Sequence, residues 1–202
     1  GYRRFFDVNT LVGLRMESLH VFADTHALIL RWLREQVLDG IRVDHPDGLR
    51  DPRAYFERLR EAAEDVWIVA EKILELGERL PEAWPIDGTT GYDYLNQAGG
   101  LFVNPENADE FTQIYSSFTG EPTDYAAICR DRKHSVMRDL LGSEVNRLTS
   151  LFSEICECHR DQRDYTRHDI IRAIREVIAC FSVYRTYVIP DRNEVTREDK
   201  HY

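Results

Sequence analysis

The sequence predicts an α/β fold, because short strand-like runs alternate with helix-like segments along the first part of the chain. Residues 40–44 and 66–71 are short and mostly apolar, which is typical of buried strands. A helix-like segment precedes each of them. Helices that alternate with strands across short loops are typical of a parallel sheet or barrel.

The first helix and strand are predicted from apolar spacing. In residues 21–38 the apolar side chains recur at roughly helical intervals. Residues 40–44 alternate instead, which places Arg42 and Asp44 on one face of a strand and two β-branched residues on the other.

A second helix and strand follow directly. Residues 51–63 predict a helix, because an aspartate is suited to cap it and a proline fits its first position. Residues 66–71 form the next strand and end on Glu71. Active groups in parallel α/β folds lie at the carboxyl ends of the strands. Asp44 and Glu71 are therefore the predicted functional pair.

The second half of the chain is predicted to be helical. Residues 105–118 form one helix, and Thr123 caps a long helix to about residue 160 whose apolar stripe should be buried. A capping box at residues 166–169 opens a further helix. Residues 181–188 are rich in strand formers and predict a return to the sheet.

The predicted organisation has three segments. Residues 1–104 carry the two catalytic strand ends, residues 105–180 form a helical insertion, and residues 181–202 form the return strand and the truncated start of another helix. The sequence begins without Met or a targeting pattern and stops without a helix-ending signal. We therefore expect it to be an excerpt of a longer protein.

Composition favours a neutral ligand. The 202 residues include 36 acidic and 26 basic side chains, a net charge of −10. That balance argues against a nucleic-acid or membrane partner, and no apolar run approaches the ~20 residues that span a bilayer.

Four cysteines lie in predicted helices without a secretory signal, so we expect reduced thiols in the cytoplasm. No metal or other cofactor is expected, because Cys156 and Cys158 would face different sides of a helix.

Two carboxylates at adjacent strand ends suit retaining glycoside chemistry. One carboxylate attacks the anomeric carbon and the other protonates the leaving oxygen, with the carboxyl groups ~5–5.5 Å apart. Neighbouring strands lie ~4.8 Å apart and can supply that separation. From these residues alone, Asp44 could equally be a structural partner of Arg42.

Several motifs resemble the α-amylase family, glycoside hydrolase family 13. Residues 39–45 (DGIRVDH) resemble its nucleophile strand, and residues 69–74 (VAEKIL) resemble its acid/base strand. Within that family the maltooligosyltrehalose synthases are similar in five motifs: residues 2–9 (YRRFFDVN), 44–49 (DHPDGL), 71–74 (EKIL), 88–93 (GTTGYD) and 183–187 (VYRTY). The resemblance covers essentially the whole chain. It implies a partial (β/α)8 barrel of the TIM type, about strands four to six, with a helical insertion.

The resemblance also implies a reaction. The terminal α-1,4 link at the reducing end of a maltooligosaccharide would become an α,α-1,1 link, as in trehalose biosynthesis. Asp44 would be the nucleophile and Glu71 the general acid/base, and two successive inversions would keep the α configuration.

Other residues are expected to support this pair. Arg42 would orient Asp44, and His45 and Lys72, which directly follow the two carboxylates, would contact sugar hydroxyls. Further candidates for the pocket are Tyr2, Arg3, Arg4, Phe5, Tyr92, Arg185 and Tyr187. Each has a structural alternative: a surface cation for the arginines, a loop side chain for the histidine, a solvated side chain for the lysine and core packing for the tyrosines.

Two parts of the family pattern are missing. The third carboxylate and an early strand with an Asp and a His do not occur here, and His168-Asp169 is rejected because it opens a helix within the capping box. We therefore expect the fragment alone to be inactive, and the open edges of a cut barrel could make it self-associate. The alternatives are another α-amylase-family glucanotransferase or hydrolase, or a non-catalytic helical interaction module.

Overall fold

The computed structural model describes residues 4–202, apart from the side chain of Pro190, and divides into two compact units. Within this range the first unit comprises residues 11–104 and 185–202. The second comprises residues 4–10 and 105–184. The end of the chain therefore returns to the unit that carries the candidate catalytic strands.

Two small sheets are present in the described residues. A pair of strands, β1 (Arg4–Phe5) and β2 (Val8–Val12), forms the first. The second contains β3 (Gly40–Val43), β4 (Trp67–Ala70) and β5 (Gly88–Thr89), side by side in that order and parallel throughout. The predicted strands at residues 40–44 and 66–71 are thus confirmed at nearly these bounds. The two-residue strand β5 is too short to carry a recognisable pattern and was missed.

The first unit contains three longer helices: α1 (Leu19–Arg34), α2 (Pro52–Ala62) and α3 (Tyr92–Gly100). The predicted cap of α2 is confirmed, because the Asp51 carboxylate accepts a hydrogen bond of 2.9 Å from the N–H of Ala54. A proline at the first position of this helix loses no hydrogen bond.

The core of the first unit joins α2 to the parallel sheet. Phe56 and Leu59 on the helix and Ile68 on β4 are fully enclosed. Phe22 from α1 and Trp84 from the long loop after β4 complete the cluster. This packing holds β4 against its neighbours and so fixes where the strand ends.

The second unit contains α4 (Ala108–Thr119), α5 (Tyr125–Asp139), α6 (Gly142–Glu157) and α7 (Arg167–Cys180). The prediction of one long helix from Thr123 was wrong. α5 is capped by Asp124, which accepts from the N–H of Ala127 at 3.1 Å. The chain then breaks before Gly142, a residue that disfavours the interior of a helix.

The predicted burial of the long apolar stripe was also wrong for most of its members. Val145 is buried and packs with Met137 and Ala179. The other large apolar side chains of α6 are exposed in the described residues: Leu148, Leu151, Phe152 and Ile155. Val177 on α7 is exposed as well. Helical spacing places such residues on one face but does not say which element covers that face.

The predicted strand at residues 181–188 is not a strand. The N–H of Tyr187 donates to the Asp199 carboxylate at 2.7 Å instead of to a neighbouring strand. A short helix, α8 (Arg197–His201), follows and begins with a capping box formed by Thr196 and Asp199. Within residues 4–202, no helix has the length and apolar character that crossing a bilayer requires.

Candidate functional site

The register of the parallel sheet brings the two predicted carboxylates to one edge. Val43 on β3 is aligned with Ala70 on β4, and the N–H of Glu71 donates to the carbonyl of Val43 at 2.8 Å. Asp44 and Glu71 are the next residues on these two strands. They therefore leave the sheet at the same end, from adjacent strands.

Asp44 is paired and remains open to solvent. Its Oδ1 lies 2.8 Å from Nη1 of Arg42, and the two side chains are 63% and 48% exposed. The predicted placement of both residues on one face of the strand is confirmed. An exposed carboxylate that is held by one cation keeps its second oxygen available to a ligand.

Glu71 is held by the main chain of the loop that follows β3. Its Oε2 accepts a hydrogen bond of 3.2 Å from the N–H of His45. His45 has the left-handed backbone conformation, with φ of 47°. Its ring lies against Gly48, where an added methyl group would come within 2.6 Å of a ring carbon. This tight turn directs the His45 N–H toward Glu71.

Lys72 is placed differently from the prediction. Its side chain is only 1% exposed, and its Nζ lies 2.7 Å from Glu78 and 3.2 Å from Asp47. A cation enclosed in this way by two carboxylates does not offer its donors to a sugar hydroxyl. Neither the predicted sugar contact nor the alternative of a solvated lysine fits this burial, because the side chain turns inward from the strand end.

Arg185 and Tyr187 meet the same loop. Arg185 donates from Nη1 to the carbonyls of Asp47 at 2.9 Å and Leu49 at 2.6 Å. The Tyr187 hydroxyl donates to the Asp47 carboxylate, and its ring packs edge-on against Trp84 at 5.2 Å between centroids. Burial, reinforced by the bond to Asp47, raises the pKa of Tyr187. Both side chains therefore support the loop.

The end of β5 is also ordered by side chains. Thr89 donates to the Asp93 carboxylate at 2.6 Å, and this bond holds the pKa of Asp93 below its usual value. Gly91 has φ of 97°, a conformation suited to glycine, and it lets α3 begin at Tyr92. The Tyr92 side chain is partly exposed.

Four candidates remain from the N-terminal motif. Arg4 and Phe5 lie in the second unit, where Arg4 donates to Asn9 at 2.8 Å and to the carbonyl of Leu140 at 3.1 Å. Tyr2 and Arg3 lie outside the described residues.

The sequence interpretation missed Asp47 and Glu78 as members of the site. Asp47 lies in the motif at residues 44–49 but was assigned no role, and Glu78 lies in a loop without any pattern.

The rejection of Asp169 as a catalytic group agrees with the structure. Its carboxylate accepts from Thr166 in a capping box, and the Thr166 hydroxyl lowers the Asp169 pKa. Among the described residues, no group of three or more His, Cys, Asp or Glu side chains could hold a metal ion.

Comparison with known proteins identifies relatives along most of the chain, although no family model matches. A protein of Mycobacterium tuberculosis H37Rv, provisionally named maltooligosyl trehalose synthase, is 43% identical over 149 residues, 73% of this chain and 20% of that protein. The solved maltooligosyltrehalose synthase of Arthrobacter ramosus shares 43% identity and a TM-score of 0.82, covering 93% of this chain and 23% of its own. For a hypothetical maltooligosyl trehalose synthase of Sulfolobus tokodaii the identity is 34% and the TM-score 0.78, over 98% and 24% of the two chains.

The relatives resemble this chain both in sequence and in backbone structure. The chain spans about a fifth of the length of the Mycobacterium protein and about a quarter of the solved synthases. The resemblance drawn from the five motifs is confirmed, and the chain corresponds to a segment of the maltooligosyltrehalose synthases.

Proposed function

We propose that this chain supplies two catalytic carboxylates of a maltooligosyltrehalose synthase built on an α-amylase-type (β/α)8 barrel. Asp44 is the nucleophile and Glu71 is the general acid/base. The substrate is a maltooligosaccharide, and the reaction is an intramolecular transglucosylation, which makes the enzyme an isomerase. The three parallel strands β3, β4 and β5 are, in this proposal, consecutive strands of the barrel.

The observation that carries this proposal is the register of β3 and β4. It presents Asp44 and Glu71 side by side on adjacent parallel strands. Such strands lie ~4.8 Å apart, close to the ~5–5.5 Å that separates the carboxyls of retaining enzymes. The exposure of Asp44 and the main-chain bond to Glu71 support different roles for the two groups.

In the first step, an Asp44 oxygen attacks the anomeric carbon of the penultimate glucose unit. The bond to O4 of the terminal glucose breaks, and Glu71 gives its proton to that oxygen. A glycosyl ester on Asp44 and a free glucose result. The glucose turns in the pocket, and its anomeric hydroxyl attacks the ester while Glu71 takes back the proton. The second inversion restores the α configuration, and Asp44 is released.

Supporting residues follow from their positions. Arg42 holds Asp44, and the His45 ring and Tyr92 remain the best placed to contact sugar hydroxyls at the strand ends.

A cytoplasmic location is also proposed, because free thiols persist in reducing compartments and the cysteines are free: Cys129, Cys156, Cys158 and Cys180.

The decisive variant is Asp44→Asn in a complete synthase that carries these 202 residues. We expect the rate of maltohexaose conversion to fall about 10³-fold or more, because the amide cannot form the glycosyl ester. The matched control is Asp39→Asn, which lies before the opposite end of the same strand and should keep full activity. Activity of the Asp44 variant close to that of the control would end the catalytic proposal, and it is also what a purely helical interaction module would give.

Product analysis separates the proposed isomerase from other α-amylase-type enzymes. Maltohexaose should lose its reducing end without a change in mass, since the terminal glucose is retained. A hydrolase would instead release glucose, and a glucanotransferase would produce longer and shorter chains. Mass spectrometry combined with a reducing-sugar assay distinguishes the three outcomes.

The isolated 202-residue chain is proposed to be inactive, because the third carboxylate of the family lies outside it. Many large apolar side chains are exposed in the described residues, which supports self-association of the isolated chain. Incubation with maltohexaose tests the first statement, and light scattering coupled to size exclusion tests the second. Formation of any non-reducing product would overturn the first, and a strictly monomeric chain would overturn the second.

A further inference from the structure

A buried cluster of charged side chains adjoins the two strand ends. Lys72, Glu78 and Asp47 are 1%, 5% and 10% exposed, and the ammonium lies within 3.2 Å of both carboxylates. Burying charges costs free energy that pairing returns only in part, so such a cluster is weak evidence for added stability. It is better explained by the single arrangement that it imposes on the groups around it.

That arrangement concerns the turn at residues 44–49. One oxygen of Asp47 faces Lys72, and the other accepts the Tyr187 hydroxyl. Arg185 binds the carbonyls of Asp47 and Leu49 from the same segment as Tyr187. Both the side chain and the backbone of the turn are therefore held by residues distant in the sequence.

The turn at residues 44–49 also orients the Glu71 carboxylate. The His45 N–H donates to Oε2 of Glu71, and the left-handed backbone of His45 sets the direction of that N–H. A donor on Oε2 leaves Oε1 to carry the proton that a general acid delivers. If the turn shifted, this donor would move away and Glu71 would lose its orientation.

We infer that Lys72 is a positioning residue, which acts through Asp47 and the turn to orient the Glu71 carboxyl and does not contact the sugar. The inference rests on the proposed function, because it assigns Glu71 the role of acid/base. It replaces the earlier expectation that Lys72 binds substrate. Glu78 and Tyr187 are also positioning residues, since Glu78 contacts Lys72 and Tyr187 contacts Asp47.

Two substrates separate positioning of the acid from a loss of folded protein. Maltohexaose needs protonation of the leaving oxygen, whereas α-maltopentaosyl fluoride releases fluoride with little need for an acid. The first-turnover rate is measured for both in a complete synthase that carries these residues. The ratio of the maltohexaose rate to the fluoride rate does not depend on how much enzyme is folded.

In Lys72→Met we expect this ratio to fall on the order of tenfold to a hundredfold, since small misplacements of a catalytic group have effects of that size. Glu78→Gln and Tyr187→Phe are milder and should lower the ratio severalfold. The control is Glu57→Gln on α2, which weakens partly exposed pairs with Arg53 on the same helix and with Arg192, and it should leave the ratio unchanged.

An unchanged ratio in the cluster variants, even with both rates reduced, would overturn the inference and leave the cluster a structural role. If Lys72→Met does not fold, the two milder variants decide by the same criterion. The proposed function fails separately, because an active Asp44→Asn enzyme would refute the catalytic role of that carboxylate. An inactive Asp44→Asn enzyme with an unchanged ratio in the cluster variants refutes the positioning role alone.

Discussion

A buried cluster of charged side chains in the first unit differs from an exposed ion pair in the second. In the first unit, Lys72 is enclosed between two carboxylates that come from different loops. In the second unit, the pair of Arg130 and Glu176 lies 2.7 Å apart with both side chains about half exposed. Exposed pairs add little to stability, whereas a buried group depends on its partners. The buried Lys72 cluster therefore depends on its partners more than the exposed Arg130 pair does.

The apolar side chains follow the same division. The first unit encloses Phe56, Leu59 and Ile68 completely between a helix and the sheet. The second encloses a smaller cluster around Met137 and Val145. Two of its helices, α5 and α7, begin at side-chain caps formed by Asp124 and Thr166. The first unit therefore has the larger enclosed core.

The sharpest test of this contrast is the same substitution in each unit. Leu59→Ala removes a fully enclosed side chain and should destabilise the first unit by about 2–5 kcal/mol. Leu151→Ala removes a side chain that is 46% exposed and should cost below about 1 kcal/mol. Hydrogen exchange in a complete synthase measures both, through the amides of β4 and of α6.

Each leucine variant serves as the control for the other. A loss of stability in Leu151→Ala as large as that in Leu59→Ala would contradict the contrast. It would mean that the exposed apolar side chains of α6 are covered in the complete protein. Equal and small losses would instead show that the core around Leu59 collapses onto the cavity.

The cap of α7 should make a smaller, local contribution to the stability of the second unit. Thr166→Ala removes the hydroxyl that accepts from the N–H of Asp169, and it should destabilise α7 by about 1 kcal/mol, about a fivefold rise in its opening constant. Hydrogen exchange at the first turns of α7 reports this change. Thr112→Ala is the control, because its hydroxyl donates to the Ala108 carbonyl within α4 and caps nothing. Equal effects in the two variants would argue against the cap.

The sequence separation of the contacting residues explains what the sequence could predict. The caps of α2 and α7 and the strand ends at Asp44 and Glu71 depend on neighbouring residues, so short motifs were enough to find them. The partners of Lys72 depend on packing: Tyr187 meets Asp47 across 140 positions. No local pattern contains that information. For the same reason, residues 181–188 have the composition of a strand but become a loop support, since their hydrogen-bond partners lie in side chains rather than in a sheet.

The smallest effect is expected for the pH dependence of stability, from a carboxylate at the edge of the sheet opposite Asp44 and Glu71. The Asp87 carboxylate accepts from the N–H of Ile68 at 2.7 Å and from Arg60 at 2.9 Å, and these two bonds lower its pKa, the main-chain bond most. A carboxyl whose pKa is lowered by folding stabilises the protein above its unfolded value of 3.8 and loses that contribution as the pH falls through the folded value.

Asp87→Asn keeps an oxygen for the Ile68 N–H but removes the charge. We therefore expect a slightly lower melting temperature than wild type near neutral pH, with a difference that shrinks as the pH falls below about 4. Melting curves of a complete synthase between pH 3 and 7 measure this. Asp124→Asn is the comparison in the second unit, since that carboxylate caps α5 by accepting from the N–H of Ala127. A difference between wild type and Asp87→Asn that stays constant across the range would show that the main-chain bond alone, and not the charge, holds the start of β4 to the segment before β5.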